Sequence, residues 1–149
     1  MNRWVVLVGL FIVILIMALV LVLVPGPNTA NAPTHGGNAT EKADKIVATA
    51  PKPGDKISSP LTVTGEARGT WYFEASFPYE LRDGSGKTIA QGPVQAQSDW
   101  MTTNFVPFSV TISFAPQPTG SKGLLILKKD NPSGDPTKDE ELDIPIIFK

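Results

Sequence analysis

Hydrophobic positions divide this chain into three stretches with different patterns. From Trp4 to Val24 every residue is apolar or glycine, an unbroken run of 21 residues (24 − 4 + 1) without a charge, a hydroxyl or a proline. Built as a helix at 1.5 Å per residue, that run spans roughly 32 Å, against a bilayer hydrocarbon core of about 30 Å. The pattern predicts a single transmembrane anchor over residues 4–24. From Pro25 to Asp44 the chain holds mostly Pro, Gly, Asn, Thr and Ala. With so little to bury it cannot offset its ordering entropy, so it reads as a flexible linker with a mean reach of roughly 25 Å.

From Lys45 onward the period is two. Trp71, Phe73, Ala75, Phe77, Tyr79 and Leu81 alternate with Tyr72, Glu74, Ser76, Pro78 and Glu80. A strand puts the first set on one face, whereas a helix would scatter it. Val106, Phe108, Val110, Ile112 and Phe114 repeat the alternation, and Leu142, Ile144, Ile146 and Phe148 do so again. Shorter strands fit at Ile46–Ala50, Leu61–Gly65, Thr88–Gln91 and Leu124–Lys128, with turn-forming clusters at 51–55, 83–86 and 131–136 between them. About seven short strands, each with one apolar face, describe an all-β, immunoglobulin-like antiparallel β-sandwich over residues 45–149. Pro78, Pro107 and Pro145 fall on the polar phase and are expected at edges or bulges, since proline cannot donate to a central ladder.

Charge orients the anchor. The α-amino group and Arg3 precede the apolar run, and no charged residue follows until Glu41, so the N-terminus is expected inside and the C-terminal domain outside. A removed signal peptide is the alternative. Ala30 and Ala32 give an A-x-A pattern, but Pro33 follows directly, and the run exceeds the 7–15 apolar residues usual for such peptides. Gly9 has no second small residue four positions away, so there is no GxxxG dimer signal. From Glu41 on, Lys and Arg against Asp and Glu give 12 − 14 = −2, which lacks the basic footprint that nucleic acid requires. The absence of cysteine excludes disulfides, thiolate metal ligands and thiol nucleophiles.

Few residues offer chemistry. His35 is the only histidine and falls in the linker, where no scaffold would hold an imidazole for nucleophilic catalysis. Glu74 and Glu80 would stand roughly 20 Å apart on one strand face, too far for a glycosidase pair; Glu66 and Glu74 could neighbour one another across strands. Asp130, Asp135, Asp139, Glu140 and Glu141 read as a solvated acidic loop, because Pro132 interrupts the alternating ligands that a calcium loop needs. Asn38-Ala39-Thr40 fits the glycosylation pattern but sits in the linker. No metal and no cofactor is expected. Trp100 and Met101 stand within a stretch otherwise rich in turn formers. Trp100 either plugs one end of the sandwich or serves as an aromatic anchor for a partner, joined by Tyr72 and Glu74 on the outward phase.

Several of these segments resemble the Gmad2 domain, the immunoglobulin-like domain associated with bacterial spore germination proteins. They are Ile46-Val47 with Pro51-Lys52-Pro53-Gly54-Asp55, the run Ser58 to Ala67, Phe73-Glu74-Ala75, the Asp83–Gly86 turn, and Asp99-Trp100 leading to Phe105-Val106-Pro107-Phe108. The Asp130–Asp135 loop departs from the family pattern in being longer and richer in proline. The resemblance implies a non-catalytic domain of the bacterial cell envelope and carries over no catalytic residues. The combined expectation is a membrane-tethered, extracytoplasmic binding or scaffolding domain whose partner is an envelope protein or cell-wall glycan. An envelope glycan-acting enzyme and a purely structural spacer are the rival readings.

Overall fold

In the computed structural model, residues 42–149 are described, and they are all-β apart from two short 3-10 turns. The expected anchor at 4–24, most of the linker, His35 and Asn38 lie outside the described residues. Among the described residues no helix is long and apolar enough to cross a membrane.

Eight strands form in chain order: β1 (Ile46–Ala50), β2 (Lys56–Ile57), β3 (Leu61–Arg68), β4 (Ser76–Arg82), β5 (Thr88–Ala96), β6 (Phe105–Ile112), β7 (Lys122–Lys128) and β8 (Glu141–Phe148). They pair in the order β1-β3-β6-β5-β4-β7-β8-β2. Neighbours run antiparallel except β2 and β8, which are parallel. Within the ladder the joint between β5 and β6 is thin, made through Gln95↔Ser109 and Ala96↔Phe108 alone. There the sheet curls over so that β3 and β6 pack against β4, β7 and β8. Phe77 of β4 meets Phe108 of β6 edge-on, centroids 5.2 Å apart, although β5 separates the two strands in the ladder.

The alternation read from sequence builds this core. Val63, Ala67, Val106, Phe108 and Ile112 from one layer meet Phe77, Leu81, Leu125, Leu127, Ile144 and Phe148 from the other, all buried in one cluster. Ile126 is buried as well, yet lies on the opposite face of β7 between Glu80 of β4 and Asp143 of β8. Long charged side chains on a sheet's outer face can cover apolar surface with their stems. Gly65 is required on β3, since a Cβ there would lie 2.2 Å from the Val47 carbonyl oxygen and 2.5 Å from the Phe108 ring.

Three expectations need correction. An eighth strand, β2, follows the Pro51–Asp55 turn: Gly54, with φ +86°, reverses the chain, and Asp55 Oδ2 accepts from Lys52 N at 2.7 Å. The turn carries the chain from β3's neighbour to β8's neighbour. The prolines lie within strands that have partners on both sides, though each borders a place where pairing stops. Pro107 directs its carbonyl at Gln97 N, 2.8 Å away, beside the thin joint. Pro145 does so at Gly54 N, 2.7 Å away, just before β2 begins to pair. In an extended strand a residue's N and C=O point to the same side, so the missing donors face these gaps. Pro78 stands opposite Pro93 of β5, and pairing with β7 starts only at Tyr79.

The third correction concerns the expected aromatic strand from Trp71 to Leu81. Gly69–Trp71 is a 3-10 turn, and Phe73–Ser76 is a tight reversal closed by Phe73 N donating to Ser76 O at 2.9 Å and Ser76 N to Phe73 O at 3.1 Å. Glu74 and Ala75 occupy its centre with φ +49° and +62°. The reversal breaks the period. Trp71 and Tyr72 are therefore both buried, Phe73 is exposed, and alternation resumes with Phe77 and Leu81 inside.

Candidate binding surface

The loops at one end of the sandwich contain every residue singled out for binding. They are the 69–75 connection between β3 and β4, the 97–104 connection between β5 and β6, and the 129–140 connection between β7 and β8. Backbone contacts hold them together. Gly69 N donates to Asn104 O at 3.1 Å, Ala96 N to Ala75 O at 2.9 Å, and Asp130 N to Trp71 O at 3.0 Å. Gly69 permits the closest approach: a Cβ there would lie 1.9 Å from Thr102 O and 2.3 Å from Trp100 O. Only glycine lets the 97–104 loop settle so low on the end of β3.

Arg68 fixes the same loop from the side. Its guanidinium lies 4.0 Å over the Phe105 ring, donates through Nη1 to Thr103 O at 3.3 Å, and through Nε to Asp44 O at 3.0 Å. Within the loop, Asp99 Oδ1 accepts from Met101 N at 3.0 Å and Thr102 Oγ1 from Asn104 N at 3.1 Å. Such side-chain-to-backbone bonds replace ladder bonds and shape the tip.

This frame separates the four predicted residues. Trp100 is half-buried and packs against the core, as a plug would. Met101, beside it, is 77% exposed. Tyr72 was expected to face outward, and this is corrected: it is buried, its hydroxyl donates to Val106 O at 2.8 Å, and its ring meets Phe77 edge-on at 5.1 Å. Burial pushes its phenol pKa upward. Glu74 is exposed at the centre of the reversal. Phe73, expected inside, is 42% exposed; with Met101 it makes up the exposed large hydrophobic side chains among the described residues. The Glu-Ala pair at the turn's centre carries no glycine, asparagine or proline, so the sequence held no signal for that exposure.

The carboxylates considered for catalysis are dispersed. Glu66 lies between Val47 and Pro107 on its neighbouring strands, and β3 does not pair with β4, so Glu66 and Glu74 do not meet across strands. Glu80 is occupied on the outer face of β4. It accepts from Arg82 Nε at 2.7 Å and Nη2 at 2.9 Å, from Lys128 Nζ at 2.6 Å, and from the Thr88 hydroxyl. The Arg82 guanidinium, with Lys128 and Thr88, holds the Glu80 carboxyl down at about 2 against the opposing effect of burial.

Beside the loop end lies a cleft of about 660 Å³, lined among others by Lys42, Lys128, Asp130, Asn131, Asp139 and Glu140. Its charges are mixed and largely paired. Glu140 bonds Lys45 at 2.5 Å and Lys129 at 3.4 Å, Asp139 accepts from Asn131 at 2.7 Å, and Asp135 caps Thr137 at 3.0 Å. Three of the loop's acids, Asp135, Asp139 and Glu140, are thus engaged by neighbours, and among the described residues no three His, Cys, Asp or Glu side chains converge as a metal site would need.

Comparison with curated proteins gives no match. Residues 45–135 match Gmad2, described as the immunoglobulin-like domain of bacterial spore germination. That stretch takes in β1 through β7 and all the loops of this end except the last residues before β8. The matched residues exceed half of the chain and fold into the curled, all-β arrangement that the family name describes, so this chain belongs to the Gmad2 family of immunoglobulin-like domains.

Proposed function

We propose that this protein is a membrane-tethered, extracytoplasmic recognition domain of the bacterial cell envelope, acting by binding or scaffolding rather than by catalysis. The observation that carries this reading is the placement of Phe73 and Met101 on adjoining loops of one end, while among the described residues the other large apolar side chains are buried or half-buried. A domain that spends so much sequence on burying apolar surface and leaves two such tips on adjoining loops has a contact surface there. Trp100 supports the loop from beneath, and Glu74 adds a charge beside Phe73. The apolar character of the tips favours a hydrophobic envelope surface over a glycan, since Tyr72 is buried and Trp100 half-buried.

The uncharged run at residues 4–24 and the charge asymmetry around it support the tether. A tether raises the local concentration of a weak binder at the membrane, so two apolar side chains suffice. The family's link to germination supports a role in that setting at the level of the family. The test is fractionation with alkaline washing, followed by protease treatment of spheroplasts. Retention in the membrane pellet and digestion of the domain from outside are expected; a soluble protein, or a domain protected from the protease, would overturn the reading.

A further inference from the structure

The described chain begins at the same end that carries the exposed tips. Arg68 N at the end of β3 donates to Lys45 O at 2.8 Å, and Lys42 Nζ donates to the Glu141 carbonyl. In the sequence, residues 25–41 alone separate the apolar run from this point. As a flexible coil they would reach on average roughly 20–25 Å. A tether of that length, attached at the loop end, brings that end to the bilayer sooner than the opposite one. The β4–β5 turn at the opposite end is polar, Asp83-Gly84-Ser85-Gly86, and β4 places it about 20 Å away.

We propose that Phe73 and Met101 seat the loop end on the membrane surface, so that the domain docks loops-first on the bilayer that holds its tether. This deepens the reading above and rests on its tether: the hydrophobic envelope surface recognised by the loops is lipid itself. Glu74 stands next to Phe73 and Asp99 two residues before Met101, and both carboxylates must stay hydrated. Insertion is therefore shallow, at headgroup depth, as for interfacial anchors that bury one apolar side and keep charge in water. Docked this way, the domain has a fixed orientation and turns its 83–86 turn outward.

The absence of cysteine makes the test clean. Full-length protein carrying Thr103→Cys or Ser85→Cys, each labelled with the same environment-sensitive fluorophore, is reconstituted into phosphatidylcholine vesicles containing lipid spin-labelled at shallow depth. Both substitutions are on exposed residues. Flotation with the vesicles after alkaline washing checks the tether first. The expected result is quenching at position 103 several-fold stronger than at 85. The excess disappears when Phe73→Asp and Met101→Asp are added, or Met101→Asp alone should the double variant fail to fold. Equal quenching at the two positions in floating protein overturns the docking and leaves the tether standing, with the tips free for a protein partner. An excess that survives the aspartates also overturns it, since nearness through the tether alone would explain it. Failure to float overturns both readings.

Discussion

Glu80 shows how one side chain can couple this fold to pH. Its carboxylate is held by Arg82, Lys128 and Thr88, groups from β4, β7 and β5, and its side chain is only 12% exposed. The folded pKa of about 2 lies below the ordinary 4.5, so the charged form favours the folded state. The stabilisation is complete above about pH 4.5 and is lost as pH falls through 2. The full shift corresponds to at most about 3 kcal/mol; with Arg82 and Lys128 each about a third exposed, solvent screening brings it to about 1–2. Glu80→Gln is therefore expected to lower stability by about that amount at pH 7. Urea unfolding at both pH values reads it: the gap from the unaltered protein should narrow steadily toward pH 2.5. A gap unchanged between pH 7 and 2.5 would place the loss in packing instead of charge.

At the scale of elements, the Phe73–Ser76 reversal is the point of conflict between local preference and observed structure. Two successive positive-φ residues define the hairpin turn that Asn-Gly fits best, yet Glu74 and Ala75 occupy it. Non-glycine residues in that region carry strain of order 1 kcal/mol or more each. Replacing the pair, Glu74→Asn with Ala75→Gly, should stabilise the domain by about 1 kcal/mol and raise its melting temperature by about 4 °C or more. Calorimetry checks this, and a lowered melting temperature would mean that Glu74 makes a contact the geometry does not reveal. The same residues explain what could be read from sequence. β6 and β8 are legible because their apolar phase is the buried one, as with Val106, Phe108 and Ile112, and with Leu142, Ile144, Ile146 and Phe148. The Trp71–Leu81 stretch keeps its alternation through a reversal lacking any turn residue, so the period alone puts Phe73 inside and Tyr72 outside. Met101 was legible as a candidate because an apolar residue among turn formers has little else to do; Phe73 was not.

At the scale of the whole molecule, the family match ends at residue 135, but the fold does not. β8 begins at Glu141, pairs with β7 along its length, and is the strand on which β2 pairs. It buries Leu142, Ile144, Ile146 and Phe148 in the shared core. Burying such side chains contributes about 1.5–3 kcal/mol each, so β8 supplies about 6–12 kcal/mol, as much as a domain of this size holds in total. No disulfide can compensate, because the chain has no cysteine. Without β8, β7 would become an apolar edge strand with Leu125 and Leu127 uncovered, a surface prone to aggregation. A chain ending at Asp135 is accordingly expected to show no cooperative thermal transition and to bind a hydrophobic dye, whereas one ending at Phe148 melts like the full protein. A sharp calorimetric transition in the shorter chain would mean that the matched stretch folds independently, and β8 would then be an accessory strand added to a finished core.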